Sequence, residues 1–209
     1  MELLNEGKIE STLKKVSTSA KFLIAITGGL GVGLTVICAS FVAPAFRRIC
    51  LPYVPATTEQ VSNVLACLPK NASGRLLDIG SGDGRIVIAA AQHGIRSDGV
   101  ELNPWLVIFS RLSALRHGVN KYTRFFRQDL WKFDIKPYNY IIIFGVEQMM
   151  NDLKHKLITE SKDDLMVIAC RFPLPNLQPI KTIEDGVNSV WFYDLRRMSR
   201  NTSIKPSLA

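Results

Sequence analysis

A chain of 209 residues has room for one ordinary domain and a short accessory segment, which excludes two catalytic domains side by side. With 47% hydrophobic and 21% charged residues, 14 Gly and 10 Pro, the composition excludes a collagen-like, coiled-coil or wholly disordered chain and calls for a packed core. The formal charge of +8 points to an anionic environment, which nucleic acid, anionic lipid or an acidic partner would each supply.

Residues 1–21 form a polar N-terminal segment. They are followed by 25 residues without a charge, 22–46, bounded by Lys21 and by Arg47-Arg48. As a helix this stretch would reach about 37 Å at 1.5 Å per residue, against roughly 30 Å of hydrocarbon, and it is read as a transmembrane helix. Pro44 should end or bend it. Gly28, Gly29, Gly31 and Gly33 are tolerated in lipid, and Gly29 and Gly33 share a small-residue face. A mitochondrial presequence would be rich in Arg and poor in acids, yet Glu2, Glu6 and Glu10 precede the stretch and no Arg occurs before Arg47. Lys8, Lys14, Lys15 and Lys21 on one side and Arg47 and Arg48 on the other leave the orientation open.

Residues 47–195 alternate helix-like and strand-like segments. A Pro-containing connector leads to a helix over about 58–68, with Thr57 and Gln60 at capping-box spacing. A strand over 75–79, a Gly-rich turn and a helix over about 83–93 follow, then a strand over 95–101 and a helix over 104–117 with Pro104 at its first position. Strands over 122–127 and 140–145, a helix over 147–159 and a strand over 165–170 complete the alternation. Ile141-Ile142-Ile143-Phe144 is continuously apolar, as in a parallel strand covered on both faces. The result is a doubly wound α/β sheet. Strands over 180–183 and 187–195, with a Glu184-Asp185-Gly186 turn, predict a terminal hairpin, and residues 196–209 a flexible basic tail.

Cys38, Cys50, Cys67 and Cys170 are scattered without a CxxC pair, so neither a disulfide framework nor a metal site is supported. His93 and His117 read as helix-end cations.

The chemistry centres on Asp78-Ile79-Gly80-Ser81-Gly82-Asp83-Gly84-Arg85, a strand end, a glycine turn and a helix start, where α/β folds bind nucleotide-like cofactors. A dinucleotide fingerprint would need its third glycine at position 85, where Arg85 stands, so NAD is disfavoured. No P-loop lysine follows either. The pattern D-x-G-x-G-x-G resembles motif I of the Rossmann-like class I methyltransferases that use S-adenosyl-L-methionine. In that resemblance Asp78 lies near the cofactor's ammonium group, and Gly80, Ser81 and Gly82 bring backbone close to its methionine part. Glu101, 21 residues after Gly80 at the end of the second strand, is placed to accept both ribose hydroxyls, with Leu102 and Asn103 beside it. Gln128-Asp129-Leu130 matches the adenine side, with Asp129 accepting from the adenine amino group and Leu130 next to it.

The run from Asp78 to Ala91 and Val100-Glu101-Leu102-Asn103-Pro104-Trp105 resemble a family of protein-lysine N-methyltransferases whose eukaryotic members are mitochondrial. The likeness spans roughly residues 22–193. It implies a membrane-anchored enzyme of the mitochondrial inner membrane; residues 50–58, 144–150 and 168–173 are similar to the branch that acts on the c subunit of ATP synthase, which implies that protein substrate, with the adenine nucleotide translocase as the alternative. It names no catalytic residue. Residues 52–57 and 144–148 are expected to line the acceptor entrance, and Trp105 is either near the adenosine or simple helix packing.

Methylation of nucleic acid is the rival chemistry. The Asn/Asp-Pro-Pro-aromatic motif of adenine-directed enzymes is replaced by Gly145-Val146-Glu147-Gln148, and the basic residues are dispersed, the nearest cluster being Arg196, Arg197, Arg200 and Lys205. A membrane scaffold without cofactor binding would not need the three acids Asp78, Glu101 and Asp129.

Overall fold

The computed structural model describes residues 18–42, 53–69, 72–162 and 164–195. The expectations for Lys8, Lys14 and Lys15, for Pro44, Arg47, Arg48 and Cys50, and for the tail 196–209 lie outside them. The chain divides into two units, Met1–Val42 and Ala43–Ala209.

The first unit contains α1 (Thr18–Val42), whose stretch Thr18–Ala39 has a mean hydropathy of 2.2 and is long and apolar enough to cross a membrane. It starts four residues before the expected apolar stretch and takes in Lys21, because a terminal charge does not interrupt backbone hydrogen bonding. Its described residues end at Val42.

The second unit is a seven-stranded mixed sheet. Its strands are β1 (Arg75–Ile79), β2 (Arg96–Glu101), β3 (Thr123–Arg127), β4 (Tyr140–Phe144), β5 (Met166–Cys170), β6 (Lys181–Ile183) and β7 (Val190–Asp194). The spatial order is β3-β2-β1-β4-β5-β7-β6, with the first five strands parallel and β7 antiparallel to β5 and β6. The helices are α2 (Thr58–Cys67), α3 (Arg85–Gln92), α4 (Pro104–Arg116) and α5 (Met150–Glu160). After β3 the chain returns to place β4 beside β1, so the winding reverses between these two strands. That reversal opens a crevice at their carboxyl ends.

One face of the sheet buries Leu77, Ile79, Ile141 and Ile143 with Leu153 and Leu157 of α5. The other buries Leu76, Ile142 and Ile168 with Val64 and Cys67 of α2 and Ile86 and Ala90 of α3. Covering on both sides explains why β4 is apolar without alternation.

Several boundaries differ from the sequence reading. α3 begins at Arg85 instead of position 83, because Gly80, Gly82 and Gly84 all take positive φ and prolong the turn. The helix expected from 147 opens as a 3-10 turn, Glu147–Met149, which buries the adjacent Met149 and Met150 against Gly145. The last strand starts at Val190 instead of 187. Gly186–Asn188 form a 3-10 turn in which the Ser189 hydroxyl accepts from Asp185 N at 2.9 Å and donates to Gly186 O at 2.8 Å. The capping box at α2 is half formed. Thr57 Oγ1 accepts from Gln60 N at 3.0 Å, but the Gln60 side chain turns inward on the buried stripe Gln60, Val64 and Cys67.

At the amino ends of the strands, Asp98 is buried, ion-paired with Arg75, and accepts a 2.9 Å hydrogen bond from the Tyr138 hydroxyl. Burial, and then the Asp98 charge, raise the Tyr138 phenol above its ordinary value. Tyr138→Phe removes one charge-assisted hydrogen bond while Arg75 still pairs Asp98, so a loss of about 1.5–3 kcal/mol in urea unfolding is expected. Cofactor binding at the opposite end of the sheet should be unchanged.

Candidate functional site

The crevice is built from the ends of β1, β2 and β3. Asp78 is the penultimate residue of β1 and only 2% exposed. Its Oδ1 has no hydrogen-bond partner, and burial, reinforced by the charges of Glu101 and Asp83, raises its carboxyl to about 8. An isolated carboxylate in an apolar site is costly, so near neutral pH this group holds its proton.

The turn after β1 is tight. Gly80 N and Ser81 N both donate to Val100 O, at 2.9 and 3.1 Å, and Gly84 N donates to Ser81 O at 2.8 Å. Two glycines are sterically required here. A Cβ on Gly84, at φ +80°, would lie 2.7 Å from the Phe125 ring, and one on Gly82, at φ +53°, would lie 2.9 Å from the Tyr53 ring. Ser81 is buried and its Oγ is without a partner.

Glu101 closes β2, and its carboxylate organises the next loop. Oε2 accepts from Gly82 N at 3.1 Å, while Oε1 accepts from Leu102 N at 2.6 Å and Asn103 N at 2.8 Å. Asn103 caps α4, its Oδ1 accepting from Trp105 N at 3.0 Å. Asp129 follows β3 and caps a 3-10 turn, Leu130–Lys132, with Oδ1 accepting from Trp131 N at 3.1 Å. The strand pattern gave no sign of that turn. It places Leu130 against the core cluster of Ile79 and Val100.

The connector before α2 reaches the same turn. Asp83 and Arg85 form an ion pair, and the Arg85 guanidinium also donates to Ala56 O. Burial pushes the Asp83 carboxyl up, but the hydrogen bonds and charge of Arg85 outweigh it and hold the group below its usual value. Tyr53 lies over Gly82, so residues 53–57 are tied to the glycine turn. Pro52 is outside the described residues.

Gln60 was not singled out from the sequence. It is 1% exposed, and its Nε2 lacks a partner. α2 runs opposite to β1. Its N-terminal end meets the β6–β7 turn, where Thr57 Oγ1 donates to Asn188 Oδ1 at 2.7 Å, so Gln60 sits toward the carboxyl ends of the strands. Gln60 Nε2, Asp78 Oδ1 and Ser81 Oγ are the buried side-chain atoms without partners among the described residues. The sequence offered only the capping-box spacing for Gln60, which pointed its side chain the wrong way.

Beyond β4 and β5, Arg171 takes φ +68°, rare for a residue with a side chain, and its guanidinium stacks 5.4 Å from the Phe144 ring centre. Glu147 and Gln148 are exposed there. His93 and His117 end α3 and α4, each ring Nδ1 bonded to a carbonyl of its own helix, Ala89 O at 2.9 Å and Ser113 O at 2.8 Å. Among the described residues no cluster of His, Cys, Asp and Glu has metal-binding geometry.

Comparison with known proteins adds to this geometry. A family model of the ANTKMT methyltransferase domain matches residues 78–181, and one of the N-terminal domain of the ATP synthase C-subunit lysine N-methyltransferase matches residues 15–47. The chain is 49% identical over 204 residues to the ATP synthase C-subunit lysine N-methyltransferase of Xenopus laevis, covering 97% of this chain and 90% of that protein. Against the Homo sapiens protein of that name it is 49% identical over 172 residues, 82% and 73% of the two chains. The adenine nucleotide translocase lysine N-methyltransferase of Mus musculus is 39% identical over 178 residues, 83% and 77%. A solved RNA methyltransferase from Salinibacter ruber, in complex with S-adenosyl-L-homocysteine, is 28% identical at a TM-score of 0.64 and covers 75% of this chain and 99% of its own. The fold is therefore the Rossmann-like one of class I methyltransferases, with a mixed sheet.

Proposed function

From membership of the family of lysine N-methyltransferases that includes the ATP synthase C-subunit and adenine nucleotide translocase enzymes, to which this chain belongs, we infer that it transfers a methyl group from S-adenosyl-L-methionine to a lysine of the c subunit of ATP synthase in mitochondria. The observation that carries the cofactor assignment is the buried, unpartnered Asp78 Oδ1 beside a glycine turn, with Glu101 and Asp129 at the two neighbouring strand ends.

The residues present fit such a cofactor. Asp78 has an unused acceptor that would suit an ammonium group, while Ser81 Oγ and Gln60 Nε2 are unused groups suited to a carboxylate. In this reading Gly80, Ser81 and Gly82 hold the methionine part, Glu101 the ribose, Leu102 and Asn103 the adenosine flank, and Asp129 and Leu130 the adenine. Asp129 Oδ2 is the acceptor its cap leaves over. The bound cofactor supplies an electrophilic methyl group on a sulfonium.

What the protein adds is desolvation and alignment. Lysine has an ordinary pKa of about 10.4, so roughly one in 2,500 is neutral at pH 7, equivalent to about 4.6 kcal/mol. Residues 53–57 and 144–148 wall the acceptor entrance, where exclusion of water and a neighbouring positive charge lower the pKa of the incoming amine. Alignment of the amine by these same walls would provide much of the remaining acceleration. The helix α1, apolar enough to cross a bilayer, anchors the enzyme in the inner membrane in a single pass, close to a substrate that is itself a membrane protein.

Membranes from cells lacking the enzyme, incubated with the full chain and methyl-labelled S-adenosyl-L-methionine, should acquire label in the ATP synthase c subunit. Label confined to the translocase would move the assignment to the sister branch. Label in RNA would favour the chemistry named for the Salinibacter ruber neighbour.

A further inference from the structure

α4 is apolar on two sides. Leu106, Val107, Ser110 and Ala114 are buried against the sheet, as expected of a helix flanking β2 and β3. Trp105, Ile108, Phe109, Leu112 and Leu115 form a second stripe at spacings of three and four residues, each more than a third exposed. Ile108 is 47% exposed, Phe109 56%, and Leu112 and Leu115 each 61%. At 1.5 Å per residue the stripe runs for about 15 Å. Large contiguous apolar patches on a soluble face mark interaction sites.

The charges within the segment that carries it are of one sign. From Leu102 to Gln128 the chain carries Arg111, Arg116, Lys121, Arg124 and Arg127 and no Asp or Glu. All five are exposed; on the edge strand β3, Arg127 shares the α4 side with Phe125, whereas Arg124 alternates to the other side. Tyr122, between them, is 52% exposed. An apolar helix face with aromatic side chains and a cationic border is what the boundary of an anionic bilayer accommodates. The aliphatic and aromatic groups enter the acyl region, and Lys and Arg remain at headgroup level.

We infer that the catalytic unit docks on an anionic lipid surface through α4 and the adjoining edge of β3, as a second membrane contact distinct from α1. A second copy of the chain is a poor occupant, because pairing two such faces would oppose four cations to four. The chain's own residues 196–209 are a poor occupant for the same reason, carrying Arg196, Arg197, Arg200 and Lys205 and no acid. The inference does not require α1 to cross the bilayer.

The test uses the full chain reconstituted with vesicles of bromine-labelled lipids, either phosphatidylcholine alone or with phosphatidylglycerol added. Flotation reports attachment, and bromine quenching of tryptophan emission reports contact by α4. The expected result is quenching in anionic vesicles that disappears in Trp105→Phe and falls at least twofold in phosphatidylcholine alone or in high salt. The double variant Phe109→Glu/Leu112→Glu should abolish it with an unchanged circular dichroism spectrum, since both side chains are more than half exposed. Protein that floats with anionic vesicles while Trp105 stays unquenched overturns the inference, as does equal quenching in both compositions. Flotation only with anionic vesicles would support the α4 surface and count against α1 as an anchor. Quenching that appears only after the ATP synthase c subunit is added would assign the face to the protein substrate and overturn the lipid reading.

Discussion

Glu101→Ala is expected to weaken S-adenosyl-L-methionine binding by roughly a hundredfold or more. Two charge-assisted hydrogen bonds to ribose hydroxyls are worth about 1.5–3 kcal/mol each, and removal of the carboxylate takes both. The structure adds a second contribution. Oε1 already accepts from two amides, Leu102 N and Asn103 N, and Oε2 from Gly82 N. A carboxylate has about four lone-pair positions, so a diol engaging both oxygens shares Oε1 with these amides. Alanine therefore removes the ribose acceptor and also frees the glycine turn from the loop that opens α4. Calorimetric titration measures the affinity, and a far-UV circular dichroism spectrum like that of the parent protein shows that the fold persists. An unchanged dissociation constant would remove Glu101 from the site.

Cofactor affinity should rise with pH between 6 and 7.5, by up to about tenfold per unit. The cause is Asp78, whose burial and acidic neighbours put its carboxyl at about 8 in the ligand-free protein. Pairing with an ammonium requires the ionised form, so below that value binding must expel a proton, and each unit of pH changes the proton activity tenfold. Titrations in buffers of different ionisation enthalpy should then show proton release approaching one per cofactor at pH 6. Asp78→Asn cannot ionise. It should bind weakly, with affinity independent of pH over the same range, and retention of the slope would assign it to another group. Stability of the ligand-free protein moves in the opposite sense. The folded pKa lies above the unfolded value of 3.8, so the native state binds more protons between the two. The contribution of Asp78 is fully present below pH 4 and is lost as pH rises through 8. Asp78→Asn should therefore gain stability relative to the parent as pH rises, measured by urea unfolding at pH 6 and 9.

Much of the candidate site's geometry was legible because its signals are local. Gly80, Gly82 and Gly84 announce a turn of positive φ in the residues themselves, and acids placed directly after apolar strand patterns fall at strand ends wherever the strands come to lie. The structure sets Asp78, Glu101 and Asp129 at or just beyond the ends of β1, β2 and β3. Gln60 shows the limit of such reading. Its spacing from Thr57 predicted a reciprocal cap, but the same residue belongs to the stripe with Val64 and Cys67, and packing against the sheet took the side chain inward. Helical spacing assigns a residue to both roles at once, and only the neighbouring element chooses between them.

By itself the sequence determined the alternation of helices and strands, the glycine turn and its acids, and a 25-residue stretch without charge, each a property of residues adjacent along the chain. The tertiary structure decided the order β3-β2-β1-β4-β5-β7-β6, the proton held by Asp78 and the uncovered side of α4. α4 carries apolar residues on two sides, and which side is buried depends on where β2 and β3 lie. The Asp78 proton depends likewise on desolvation by residues far away in the chain. Burial is set by contacts between distant segments, and no local pattern encodes which of two apolar faces those contacts will leave open.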